Sequence, residues 1–179
     1  MKLTTAPALL KDALSIDNFV NADVIAQGLC AYQPEKAAIE AGRVMLKRIR
    51  QLASEQADFT FETTLASRTF AQWIPKLKTQ GYQFYLMFLW LQDAELAVLR
   101  VKERIKMGGH SVPEETIRRR YKAGLKNFFN LYMPIADVWR IYDNSDQHPS
   151  LIAAKINNNP VAIEQPTIWQ NLMESYNDQ

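Results

Sequence analysis

Residues 84–91, Phe-Tyr-Leu-Met-Phe-Leu-Trp-Leu, form an apolar run set between Gln83 and Gln92. It is far short of the roughly 18 residues needed to span a bilayer. It also lacks the polar and apolar alternation of a half-exposed strand. The reading that remains is a strand over Tyr82 to Leu91, buried on both faces as a central parallel strand covered by helices. The flanking sequence supplies such helices. One carries Phe70, Trp73, Ile74 and Leu77 and is released by Gly81, and another runs from Asp93 to Met107, where Gly108-Gly109 stops it. Strands alternating with helices specify an α/β sheet.

The rest of the chain fits this plan. Residues 6 to 14 suit a short helix, and Asn18 to Asn21 a brief strand leading past Asp23 into Val24-Ile25-Ala26. Pro34 opens a long helix to about Glu55, with Ile39, Val44, Met45, Ile49 and Leu52 as its inner face. A strand over Asp58 to Phe61 ends in Glu62-Thr63-Thr64, and a last one over Val138 to Tyr142 ends in Asp143-Asn144-Ser145. Leu151–Ala153 and Val161–Ile163 read as a short hairpin, and Pro166 starts a closing helix with Trp169 and Leu172. At 179 residues, 47% hydrophobic and 22% charged, with no linker or repeat, the expectation is one domain over residues 1–179. A net charge of +2 announces neither a nucleic-acid nor a membrane partner. Cys30 is the single cysteine, so no intrachain disulfide forms. With no signal-peptide core at the N-terminus, the cytoplasm is the default location.

Chemistry-bearing residues gather at strand ends and in one basic stretch. Asp23 lies at a strand-to-helix junction, where it serves either as N-cap of the next helix or as a ligand-facing carboxylate. Glu62, Thr63 and Thr64 bring a carboxylate and two hydroxyls to the end of the second strand, where open α/β sheets bind ligands. Residues 108–129 read as a lid. Ser111 and Glu114 have capping-box spacing, Pro113 suits a first turn, and the helix is expected from about Val112. Ile117, Tyr121, Gly124, Leu125 and Phe128 then share a buried stripe, with Arg119, Lys122 and Lys126 pointing to solvent and Arg118 and Arg120 on the two borders. Border arginines face a cleft or belong to a solvated basic face, and spacing leaves both open. His110 bonds a lid carbonyl or does chemistry, and two histidines with one cysteine make no metal site.

The segments FVNADVIAQGL, PEKAAIEAGRVMLKRI, FTFETTLASR, GYQFYLMFLWL, GGHSVPEETIRRRY, NFFNLYMPIADVW and YDNS resemble, in order and spacing, the zeta-toxin-like branch of P-loop kinases over about residues 17–145. The resemblance implies ATP- and Mg-dependent phosphoryl transfer. Its best-known members phosphorylate UDP-N-acetylglucosamine and act as toxins held by an antitoxin. By the same resemblance Asp23 matches the carboxylate that takes the acceptor proton, and Glu62 and Thr64 match acceptor-binding positions. Arg68 falls in the same substrate-binding region, farther beyond Glu62 than the toxin pattern E-x-T-x-R. Arg118 and Arg120 match the lid over the transferring phosphate, and positioned cations of that kind are what the chemistry needs.

The departure lies at the front. P-loop kinases begin with a strand and G-x-x-x-x-G-K-[ST], whose amides cradle the phosphates. Aligning Met1 to Ala6 with the end of that motif puts Thr4 and Thr5 on its hydroxyl positions, Thr4 being the Mg ligand, and Leu3 on the lysine; Lys2 is one place off. In the family's strand order 2-3-1-4-5 that strand is the middle of the sheet. The expected fold is therefore a P-loop kinase-like parallel sheet with helices on both faces, its central first strand missing or truncated, and a C-terminal hairpin and helix. A late start codon, a decaying gene and a protein that has abandoned ATP all fit. The alternative to a kinase is an inactive remnant or binding module that keeps an acceptor pocket around Asp23, Glu62 and Thr64 without holding ATP.

Overall fold

Two short strands, Phe19–Val20 (β1) and Thr60–Phe61 (β2), lie parallel with Phe19 opposite Thr60 and Val20 opposite Phe61. Parallel neighbours need a crossover rather than a tight turn. Here it consists of Ala22–Leu29 (α1), a 3-10 turn over Pro34–Ala37 and Ala38–Ser54 (α2). The computed structural model describes residues 16–106 and 111–176. The expected helix over 6 to 14 lies outside them. The chain divides into two compact units, Met1–Thr63 and Thr64–Gln179.

In the first unit α2 buries Ala41, Met45, Ile49, Leu52 and Ala53. Ile39 and Val44, expected on this inner face, are instead exposed, Ile39 by 75%. The contact with α1 selects the phase: Ala26, Ala37 and Ala41 form a small-residue cluster with Ile25 and Cys30 against it. Alanines let two helices approach closely, and Ile39 is about 200° away from Ala41 around the helix. Helix α2 ends with Gln56 in the left-handed region (φ 53°) and the Ala57 amide donating back to the Leu52 carbonyl at 3.1 Å.

The second unit contains Thr69–Lys78 (α3), Tyr85–Trp90 (β3), Ala94–Lys106 (α4), Glu114–Asn127 (α5), Val138–Asp143 (β4), Ser150–Ile156 (β5), Ala162–Ile163 (β6) and Pro166–Tyr176 (α6). The order β3-β4-β5-β6 makes one four-stranded sheet. Strands β3 and β4 are parallel from Tyr85 opposite Val138 to Trp90 opposite Asp143, and the remaining pairs are antiparallel. The expected hairpin and closing helix are present. Gly81, at φ 95°, ends the turn after α3, with the Tyr82 amide bonded to the Leu77 carbonyl.

The apolar run forms β3, but only Leu86 is buried in it, and Tyr85 is 48% exposed. Among the described residues this strand stands at the end of the sheet order, hydrogen-bonded to β4 along one edge. Its Phe88 ring stacks on Phe128 at 4.6 Å, and Phe128 meets Phe129 and Trp139 edge-on. Trp139 stacks in turn on Trp169 of α6 at 5.5 Å. This aromatic core seats α6 and the π-helical turn Phe128–Tyr132 that continues α5.

Candidate active site

The first unit brings two expected carboxylates to neighbouring strand ends through Asn21. Its side-chain oxygen accepts from the backbone amides of Asp23 (2.7 Å) and Val24 (3.1 Å), making Asn21 the N-cap of α1. Its amide nitrogen donates to the Glu62 carboxylate at 2.7 Å. The cap role weighed for Asp23 therefore belongs to Asn21, two residues earlier, and Asp23 sits half-buried in the first turn. Glu62 follows β2, with its amide bonded to the Val20 carbonyl at 3.3 Å. Both carboxylates thus stand beyond the C-terminal ends of a parallel strand pair, the usual ligand-binding edge of α/β sheets. Asn21 ends the quoted segment's strand, but nothing in its spacing shows that one amide caps a helix and also holds Glu62.

In the second unit Thr64 and Arg68 are exposed ends of a loop in which Leu65 is buried. Leu65 is 4% exposed and left-handed at φ 56°. Its carbonyl accepts from the Asn127 side chain at 2.7 Å, and the Ser67 carbonyl accepts from the Tyr132 hydroxyl at 2.5 Å. Gly124 packs so closely on the Thr64 carbonyl that a Cβ there would overlap it.

Helix α5 reproduces the expected stripe, with Ile117, Gly124, Leu125 and Phe128 buried and Tyr121 half-buried. Its start differs. It begins at Glu114 with Pro113 as cap residue and no side-chain cap bond, so Ser111 and Glu114 do not form the expected box. The Glu114 carboxylate is taken up by Lys102 (2.7 Å) and Arg118 (3.0 Å). Charge-assisted bonds of that kind outcompete a reach back to a neutral amide.

Arg118 also makes a two-pronged contact with Glu95 of α4, Nε to Oε1 at 2.7 Å and Nη2 to Oε2 at 2.8 Å. The Arg118 hydrogen bond holds the Glu95 carboxyl below its ordinary range, bonds from Lys102 and then Arg118 do the same for Glu114, and the guanidinium is shifted upward by both. Arg118 on its border is held by an acidic pair, and Arg120, placed on the other border, is exposed, as is Arg119. The Glu114–Arg118 contact has legible i, i+4 spacing; Glu95, 23 residues away, has no local signal.

Arg100 stands one turn before Arg104 in α4, a spacing that carries no signal for its partners. It donates to the carbonyls of Asn144, Ser145 and Asp146 at 2.9–3.1 Å, fixing the turn after β4. Lys2, Thr4, Thr5 and His110 lie outside the described residues. Among the described residues no group of three or more His, Cys, Asp and Glu is placed to hold a metal ion, and no helix is long and apolar enough to cross a membrane. Among the expected phosphate contacts, Arg118 is engaged by Glu95 and Glu114.

Comparison with known proteins adds the family. The model of the Zeta toxin family matches residues 32–152. An "Uncharacterized protein" of Haemophilus influenzae is 27% identical over 118 residues, covering 66% of this chain and 83% of its own length. No solved structure matches.

Proposed function

The chain belongs to the Zeta toxin family, and from that membership we propose that it is built for kinase chemistry, phosphorylating a hydroxyl of a nucleotide sugar such as UDP-N-acetylglucosamine. The observation that carries this reading is the Asn21 bridge, which holds Glu62 and the first turn containing Asp23 together at the ends of β1 and β2. Asp23 takes the proton from the acceptor hydroxyl as that oxygen bonds to the γ-phosphorus of ATP and the bond from this phosphorus to the β–γ bridging oxygen breaks, ADP leaving with the electron pair. Glu62 holds the acceptor by its hydroxyls, and the family resemblance alone assigns acceptor roles to Thr64 and Arg68.

ATP is the proposed phosphoryl donor, and holding it with Mg requires groups beyond the described residues. Lys2, Thr4 and Thr5 are the chain's own candidates, although the sequence contains no G-x-x-x-x-G-K-[ST]. The proposed protein partner is an antitoxin, by analogy with toxins of this family. The second reading is a binding module that keeps the acceptor site without transferring phosphate.

Transfer of labelled γ-phosphate to UDP-N-acetylglucosamine tests the two readings. It is measured for the chain as it stands and for the chain preceded by a strand and a G-x-x-x-x-G-K-[ST] turn. The expected result is transfer in the extended protein that falls by about 100-fold or more in Asp23→Asn, because general-base catalysis contributes roughly 10²–10⁴. Transfer that survives Asp23→Asn would remove the assigned base. Sugar-nucleotide binding without transfer in either protein would favour the binding module.

A further inference from the structure

We infer that the buried side of α5 and the turn after it position the loop of residues 64–68, Asn127 and Tyr132 acting as positioning residues that fix the backbone carrying Thr64 and Arg68. The functional weight of this inference rests on the proposed acceptor role of those two residues.

Leu65 supplies the first argument. A non-glycine residue at φ 56° is uncommon and persists where its surroundings over-determine it. What surrounds it is a row of anchors from one continuous helical stretch. Gly124 lies against the Thr64 carbonyl, the Asn127 amide bonds the Leu65 carbonyl, and the Tyr132 hydroxyl bonds the Ser67 carbonyl. All three act on backbone, and the side chains of Thr64 and Arg68 stay exposed.

Asn127 supplies the second. At 5% exposure it is the buried polar side chain among the described residues. An amide costs free energy to bury unless it is bonded, and plain packing would be served by leucine. An amide at that position selects one loop conformation, because another would leave both the side chain and the Leu65 carbonyl unpaired. Arg120 is four residues before Gly124, about 6 Å along the same helix. The helix carrying the lid arginines is therefore also the loop's support.

Hydrogen exchange in the full chain tests this. The reporters are the amides of Thr69, bonded to the Ser67 hydroxyl at 3.2 Å, and Gln72, bonded to the Arg68 carbonyl at 3.3 Å. In Asn127→Leu they should exchange at least about tenfold faster, while the amides of β4 and β5 keep their rates. Affinity for UDP-N-acetylglucosamine, used as the probe in calorimetry, should fall in parallel. Should Asn127→Leu fail to fold, Tyr132→Phe keeps the ring and should show the same local effect in weaker form. Unchanged rates at Thr69 and Gln72, or a uniform rise across the sheet, would overturn the positioning role. If the wild-type chain does not bind the sugar nucleotide while Asn127→Leu still shows the local exchange effect, positioning is supported and the acceptor reading loses ground.

Discussion

Replacing Gly124 by alanine sets two physical effects against each other inside α5. Helix propensity favours the change by about 1 kcal/mol, because glycine in a helix interior loses more backbone entropy. The local geometry opposes it. The added Cβ overlaps the carbonyl of Thr64, a backbone atom rather than the end of a flexible side chain. The next carbonyl along, that of Leu65, is held by Asn127, so the loop has little freedom to retreat. Overpacking of this kind costs about 1–3 kcal/mol, and distorting the Asn127 bond adds about 1 kcal/mol. The balance is a net loss of about 1–3 kcal/mol, or roughly 2–12 °C in Tm for a chain of this size. Gly42 is the internal control, since it lies within α2 and a Cβ there meets nothing within 4 Å. Gly42→Ala should therefore stabilise by about 0.5–1 kcal/mol. Urea denaturation followed by far-UV circular dichroism and tryptophan fluorescence reads both variants. If Gly124→Ala stabilises as Gly42→Ala does, the close approach of α5 to residues 64–65 is wrong, and the positioning role of the helix loses its geometric basis.

Three further outcomes are expected. Glu95→Gln should tighten binding of inorganic tripolyphosphate at low salt by freeing Arg118 from one of its two carboxylates, the Glu114 contact remaining, while Arg119→Ala should not; unchanged binding in Glu95→Gln, measured by calorimetry, would make Arg118 a structural tie only. Asp137 accepts from the Phe84 amide at 2.7 Å and pairs with Lys78 at 2.8 Å, so Asp137→Asn should cost about 1–2 kcal/mol in urea denaturation. Burial opposes ionisation of Asp137, but bonds from Lys78 and the Phe84 amide outweigh it and hold the carboxyl below its ordinary value. A lowered folded-state pKa contributes stability that is fully present above the ordinary aspartate range and lost as pH falls through the lowered value. Tm should therefore respond to this group only below about pH 4, and that part of the acid limb should flatten in Asp137→Asn.

The parts of the fold legible in the sequence are those written locally. Gly81 marked the end of α3, Pro166 the start of α6, and the stripe from Ile117 to Phe128 gave the buried face of α5, because each depends on residues within a turn or two. The inner face of α2 was misread because hydrophobicity ranks Ile39 above Ala41, whereas close contact with α1 favours the small residue. The burial of β3 was overstated for a related reason. An apolar run reports what a strand tolerates, and its position in the sheet decides how much of it is covered.

At the site, residue type was a better guide than side-chain partnership. Sequence placed Asp23 and Glu62 at strand ends, and the strands do end there, yet the residue that organises them is Asn21, whose side-chain bonds run to positions 2, 3 and 41 residues away. The arginines show the same limit from the other side. Helical phase ordered Arg118, Arg119 and Arg120 around α5, but it carries no information about α4, where Glu95 waits for Arg118. A cation that is to close on phosphate must first leave any carboxylate that holds it, and that contact is exposed and open to screening by salt. The Glu95 pair is thus a contact a polyanion could displace, whereas the Asn127 bond to Leu65 is buried and shielded. Pairing in the N-terminal half of α5 is therefore exposed and exchangeable, and pairing at its C-terminal end is buried and fixed, so under the proposed kinase reading Arg118 can be exchanged onto phosphate while the supported loop stays in place.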